Sequence, residues 1–264
     1  FGLCFFLRGL EDHRFFLLSA LMYGLSLYCY ATIWPFVPLI LALQAGYALW
    51  CGRLRFRGRD GLCVGLSVGV LFLLALPLML FLLVNWGWID EIRLPFLSIP
   101  KLVVMRGGEI SLSRMPENGA NLWSIFLHQW DGLLWNGTKP FGLFYHGTLV
   151  FFFVGLYYAV RETAAGLRRR ELRPAGLLLV QLLAGVLQGL MIDVNVNRVN
   201  SLWMPAVLLS AAGIWFVCSR FDIRALAVPL VVYAALFIGF ERYYFTDYAQ
   251  EIALHFGSGL EEAV

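Results

Sequence analysis

The sequence predicts an all-α polytopic membrane protein of about seven transmembrane helices, on three observations. Of its 264 residues 60% are hydrophobic and only 14% charged, and the mean hydropathy is +0.75; ordinary soluble domains carry about 25% charged residues. The apolar residues fall in runs long enough for the ~20 residues that cross a bilayer core. Every second segment between those runs carries most of the positive charge, which places it on one side, as cytoplasmic loops require.

The elements follow in order. Residues 15–52 contain no Asp, Glu, Lys, Arg or His. That stretch is too long for one span and is broken by Pro35 and Pro38, so it divides into helices at about 15–32 and 33–51 joined by a tight turn. Residues 61–84 form a third span without ionisable groups. Residues 141–160 form a fourth, with His146 near its start. Spans at 175–192, 201–219 and 225–240 complete seven. Segments 1–14, 53–60, 161–174 and 220–224 then share one side, with thirteen of the twenty Lys and Arg and a net +7 against −4 opposite. That basic side is cytoplasmic. The runs RLRFRGR and LRRRELR are its anchors, so no nucleic-acid partner is expected.

The bundle thus occupies 1–240, and 241–264 begins an extracytoplasmic C-terminal segment. Trp34, Trp86, Trp88 and Trp203 fall at the outer ends of spans, as an interfacial belt does. In the long outer loop, 85–140, Leu122, Trp123, Phe126, Leu127, Trp130, Leu133 and Leu134 recur at three- and four-residue steps. Asn121, Ser124, His128 and Asp131 take the other face. This spacing predicts an extracytoplasmic amphipathic helix at about 120–135, lying on the outer leaflet. Residues 95–106 form a second, shorter interfacial element, ended by Gly107 and Gly108. The five cysteines lack metal-like spacing and are expected to be small apolar packers. There is no signal-peptide layout, and both ends look cut, as in a piece of a larger protein.

The candidate chemistry is all on the outer side, because the spans hold almost no ionisable groups. The sharpest feature is DVNVNRVN at 193–200, one Asp, three Asn and one Arg between two apolar runs. Arg198 can bind phosphate through its planar fork, and a following helix N-terminus adds a preference for anions; it can equally pair with Asp193 to cap the bundle. Asn195, Asn197 and Asn200 can take sugar hydroxyls or satisfy turn backbone. His128, Gln129, Asp131, Asn136 and Lys139 lie among Trp residues, a mixture that suits carbohydrate or simply a wet helix face. Asn136-Gly-Thr138 is a formal glycosylation sequon. His128 and His146 lack metal-site spacing, so no metal ligands are assigned; a divalent metal stays open, and the sequence indicates no cofactor. No Walker loop, Rossmann fingerprint or nucleophile elbow is present.

Several stretches resemble one family. ALMYGLSLYCYATIWPFVPLILAL looks like the "GLslYsY…w…vPl" hairpin of bacterial dolichyl-phosphate-mannose-protein-mannosyltransferase-like enzymes, family 39 of the glycosyltransferases. NRVNSLWMPAVLLSAAGI is similar to their late outer loop and helix. DGLLWNGTKPFGLFYHGTLVFFFVGLYY is similar to the loop feeding the next helix, and YYFTDYAQEIALHFGSGLEEAV to the segment leaving the last spans. The resemblance implies a partial GT-C fold in a bacterial cytoplasmic membrane. It implies a polyprenyl-phosphate-sugar donor, a lipid, glycan or protein acceptor outside, and membrane lipids around the bundle. It carries Arg198 over as a contact to the donor phosphate. The family's general base, an Asp of the first outer loop, falls upstream of this chain. A surface-polysaccharide polymerase or ligase is the alternative enzyme; its several outer arginines match Arg93, Arg106, Arg114, Arg198 and Arg242. A transporter or flippase is the non-enzyme alternative, and Gln44, Gln181 and Gln188 are too few to draw its polar path.

Overall fold

The computed structural model describes residues 1–54, 56, 58–95, 97–103 and 112–256. Arg55, Arg57, Arg106, the Gly107–Gly108 break and residues 257–264 therefore lie outside the described residues. The protein is an all-α polytopic membrane protein. Among the described residues six helices are long and apolar enough to cross a membrane, and Phe15–Ser26 is a shorter apolar helix. The chain divides into two compact units, 1–111 with 167–172, and 112–166 with 173–264.

The first unit holds α1 (Gly2–Gly9), α2 (Phe15–Ser26), α3 (Ile33–Trp50) and α4 (Gly58–Asn85). Residues 1–14, expected as a plain cytoplasmic segment, fold back as α1 on α2. The Phe6 and Phe16 rings meet at 5.6 Å, and Ser19 Oγ donates to the Gly2 carbonyl at 2.9 Å. Helix α2 stops six residues earlier than its apolar run suggests. Ser26 Oγ donates to the Tyr23 carbonyl at 2.6 Å, and the Trp34 indole takes the Leu27 carbonyl at 2.8 Å. These side chains satisfy carbonyls that a continuing helix would have used. At ~1.5 Å per residue α2 is ~18 Å long, short of the ~30 Å hydrocarbon core. Gln44, fully buried on α3, exchanges hydrogen bonds with the Tyr23 hydroxyl.

Past α4 the chain forms an antiparallel hairpin, β1 (Ile92–Leu94) with β2 (Leu97–Ile99), pairing Ile92 with Ile99, which overlaps the start of the interfacial element expected at 95–106. Asn85 Oδ1 accepts from the Leu102 N–H at 2.8 Å, and Glu91 accepts from Arg93 Nη2 at 2.7 Å and from the Lys101 N–H at 3.1 Å. The Arg93 guanidinium first, and then the Lys101 N–H, hold the Glu91 carboxyl below the usual carboxylate range. A depressed folded value means the tie is present above the ordinary carboxylate range and is lost as pH falls through the depressed one. Hydrogen exchange at Ile92–Ile99, corrected for its intrinsic pH dependence, should therefore lose protection on acidification, and Glu91→Gln should lose it already at neutral pH.

The second unit holds α5 (Met115–His128), α6 (Thr148–Arg169), α7 (Pro174–Met191), α8 (Asn200–Cys218), α9 (Ala227–Tyr243) and α10 (Ala249–Phe256). A helix lies where an amphipathic one is expected, but α5 begins before 120 and ends at Gln129, whose φ of 51° is left-handed. Its apolar face packs on protein. Leu122 lies against Gly189 of α7, and the Phe126 ring meets Phe152 at 4.7 Å and Trp203 at 6.2 Å. Trp203, expected in an interfacial belt, is buried in this core, whereas Trp86 and Trp88 are exposed. Cys51 and Cys218 are buried; Cys4 and Cys29 are exposed, and all five cysteines are free.

Helix α6 begins seven residues later than expected, at Thr148. Gly142 (φ 71°) and Tyr145 (φ 62°) are left-handed and interrupt any helix there. The buried Gln129 amide fills the resulting turn: its Oε1 accepts from the Leu143 and Phe144 N–H groups, both at 3.0 Å. Helices α6 and α8 cross at Gly155 and Gly213, where each glycine sits on the other helix's backbone. The last helix does not end at 240. It continues through a π-helical turn, Tyr244–Tyr248, into α10, so that a helical stretch of 30 residues, Arg224–Ala253, contains a window apolar enough to cross a membrane. The Tyr248 hydroxyl donates to the Leu134 carbonyl at 2.7 Å, and Phe141 packs on Phe240 and Tyr243. Side-chain contacts with residues 134–141 thus hold the continuation in place.

Candidate functional site

The polar interruption between α7 and α8 is a folded loop, and its sequence alternates pegs with hydrogen-bonding groups. Val196 and Val199 are buried in the same core as Phe126 and Trp203. Between and before them the polar residues turn outward to one another. Asn195 Oδ1 accepts from the Arg198 N–H at 2.9 Å, closing an Asx turn. The Trp203 indole donates to the Val196 carbonyl at 3.0 Å. From below, Gln188 of α7 donates to the Arg198 carbonyl at 3.2 Å and accepts from the Ser201 hydroxyl. Gln188 is 1% exposed. It closes the loop onto the bundle and so serves as a local buckle.

Two side-chain clusters sit on this frame. In the first, Asp131 accepts three hydrogen bonds: from the Leu133 N–H at 3.0 Å, Asn136 Nδ2 at 2.6 Å and the Val196 N–H at 2.9 Å. Asn136 Oδ1 in turn accepts from Asn197 Nδ2 at 2.5 Å. The carboxylate ties the segment after α5 to the loop before α8. In the second, Asp193 receives Arg114 Nη1 at 2.7 Å, and Arg198 Nη1 lies 3.9 Å from its other oxygen and 3.4 Å from its carbonyl. Glu117 also pairs with Arg114, at 3.3 Å. Hydrogen bonding to Glu117, then the charges of Asp193 and Glu117, hold the Arg114 guanidinium more firmly protonated than usual.

The side chains of Arg114, Asp193 and Arg198 are 49%, 38% and 23% exposed, so the second cluster is open to a ligand. Glu117 and Asp193 both serve Arg114, while Arg198 reaches the Asp193 carboxylate only at 3.9 Å, the longest of these ion-pair contacts. Helix α8 starts two residues past Arg198, at Asn200, with Val199 at its N-cap, and no side chain caps it. The two guanidiniums that meet Asp193 are groups an oxyanion could engage in place of the carboxylate.

The structure brings together Asp131, Asn136, Asn195, Asn197, Asp193 and Arg198. Two further candidates have other duties. Gln129 is buried in the turn before α6, and the exposed His128 bonds its own helix through Nδ1 to the Ser124 carbonyl at 2.8 Å. In the sequon, Asn136 is engaged on both amide atoms and Thr138 is buried. Arg114 is the member that sequence reasoning passed over as a site residue, because 79 positions separate it from Asp193. Among the described residues no group of three His, Cys, Asp or Glu is placed to hold a metal.

Fold and site together define a multi-pass α-helical membrane protein with a two-arginine cluster at the head of one apolar helix. The chain matches no family model, no curated protein and no solved structure.

Proposed function

We propose that this chain is part of a GT-C-type membrane glycosyltransferase that moves a sugar from a polyprenyl-phosphate donor to an acceptor outside a bacterial cytoplasmic membrane. In this reading Phe15–Ser26 is a seventh, shorter span, and the loops around Asp131 and Asp193 and the C-terminus are extracytoplasmic. The observation that carries the proposal is the convergence of Arg114 and Arg198 on Asp193 beside an uncapped helix N-terminus. A departing lipid phosphate needs positive charge where its own charge develops, and preorganised guanidiniums supply it without reorganisation. The apolar face of α8 below Arg198 suits the lipid to which such a phosphate is attached. Family-like stretches at 20–43, 131–158 and 197–214 support the same reading.

The test exploits a division within Arg198. Its main chain holds the loop, through Asn195 and Gln188, so replacing the side chain leaves those bonds in place. In the intact membrane-bound protein, Arg198→Ala should lower transfer from a polyprenyl-phosphate-linked sugar on the order of 100-fold at an unchanged membrane level. Arg198→Lys should recover only a fraction, because an ammonium lacks the fork. Wild-type turnover by Arg198→Ala would overturn the proposal.

A further inference from the structure

The second unit contains an apolar groove of about 440 Å³ between the start of α6, the end of α8 and α9. Its walls include Phe151, Val217, Phe221, Val228, Val232 and Leu236. One end is closed by a polar knot: the Thr148 and Tyr233 hydroxyls meet at 2.6 Å, with the Tyr145 ring against Tyr233. The other end lies at Phe221 and Ala225, in the turn between α8 and α9.

Two features specify the occupant. The first is length. From Ala225 to Leu236 the groove follows the helix for ~16 Å at 1.5 Å per residue, about half of a ~30 Å hydrocarbon core. That is the depth of one leaflet, and of one acyl chain. The second is charge at the Phe221 end. Arg220 and Arg224 each neighbour a groove-lining residue, and both are exposed. Arg220 is held over the Phe216 ring at 4.5 Å. Asp222, the acidic residue of this turn, directs its carboxylate to the Arg224 N–H at 2.8 Å, so it serves the backbone. The turn at this corner thus carries two exposed arginines next in sequence to groove-lining residues, a charge that favours an anionic headgroup.

We infer that the groove between α6, α8 and α9 binds one acyl chain of an anionic diacyl phospholipid whose headgroup phosphate lies at Arg220 and Arg224. The site is separate from the Arg114–Asp193–Arg198 cluster, which lies at the opposite end of α8, and it does not depend on the transferase reading. It also gives α9 a lipid partner on a face that the other described residues leave uncovered.

The test is lipid titration of the delipidated, detergent-solubilised protein followed by native mass spectrometry. Phosphatidylglycerol is compared with phosphatidylcholine of the same acyl chains. One phosphatidylglycerol should bind per chain, on the order of tenfold tighter than phosphatidylcholine. The double substitution Arg220→Gln with Arg224→Gln should abolish that preference while leaving the fold intact, since both side chains are exposed. Val232→Trp, which fills the groove, should weaken binding of both lipids. Equal binding of the two lipids, a preference that survives the double substitution, or unchanged binding by Val232→Trp would each overturn the inference. So would displacement of phosphatidylglycerol by equimolar polyprenyl phosphate, which would make the groove a donor site.

Discussion

Gly155→Val should separate α6 from α8 and destabilise the second unit by about 3 kcal/mol. A Cβ at Gly155 would land on the Leu209 carbonyl oxygen, and one at Gly213 would land on the Phe151 carbonyl oxygen and 2.8 Å from the Gly155 nitrogen. All of these obstacles are backbone, so no rotamer change relieves them. The helices must move apart, and the dispersion contacts along the seam weaken together. Small residues have this role wherever apolar helices meet without a hydrophobic difference between protein and lipid. Gly213→Val should act alike, and the double variant should cost less than the sum, because both relieve the same contact. Gly65→Val on α4 is the control, since a Cβ there meets nothing within 4 Å. Thermal unfolding in detergent reads the outcome. A Gly155→Val midpoint equal to that of Gly65→Val would disprove the crossing.

Asp131→Ala should release the loop before α8 and cost roughly 2–4 kcal/mol. It removes the acceptor of three hydrogen bonds, one of them from the N–H of the buried Val196. Asp131→Asn is the more informative variant. All three partners are donors, so an acceptor-only carboxylate fits and an amide turns its NH₂ toward at least one of them. Asn should therefore be nearly as damaging as Ala despite its matching shape. Hydrogen exchange across residues 193–200 and the thermal midpoint are the measurements. If the proposed transferase function holds, transfer should also fall, because Arg198 is positioned by the same loop. An Asp131→Asn protein with wild-type protection would show that the carboxylate is not the clasp.

The spans illustrate how far the sequence reaches. Helices α3, α7 and α8 begin and end within about one residue of the ends of their apolar runs, because continuous hydrophobicity with no competing side-chain bond leaves the helix nothing else to do. Helices α2 and α6 depart from their runs for reasons held elsewhere in the chain: Trp34 intercepts a carbonyl of Leu27, and the Gln129 amide stabilises a turn at 142–145. The candidate site divides in the same way. The polarity of 193–200 marked the loop, and Arg198 stood out as its one cation. Neither the pairing of Asp131 with Val196 nor that of Arg114 with Asp193 was visible, since no local period connects positions 65 or 79 apart.

The sequence by itself determined that this chain is a bundle of apolar helices with its polar chemistry gathered in short segments, because hydrophobicity and helical length are properties of each segment alone. Only the tertiary structure decided that α5 packs on protein through Leu122 and Phe126, that Gly155 and Gly213 form a crossing, and that Asp131 holds a loop. Those depend on which surfaces meet. A carboxylate, an amide or a glycine takes its role from the groups folding places against it, and one residue's chemistry is compatible with several.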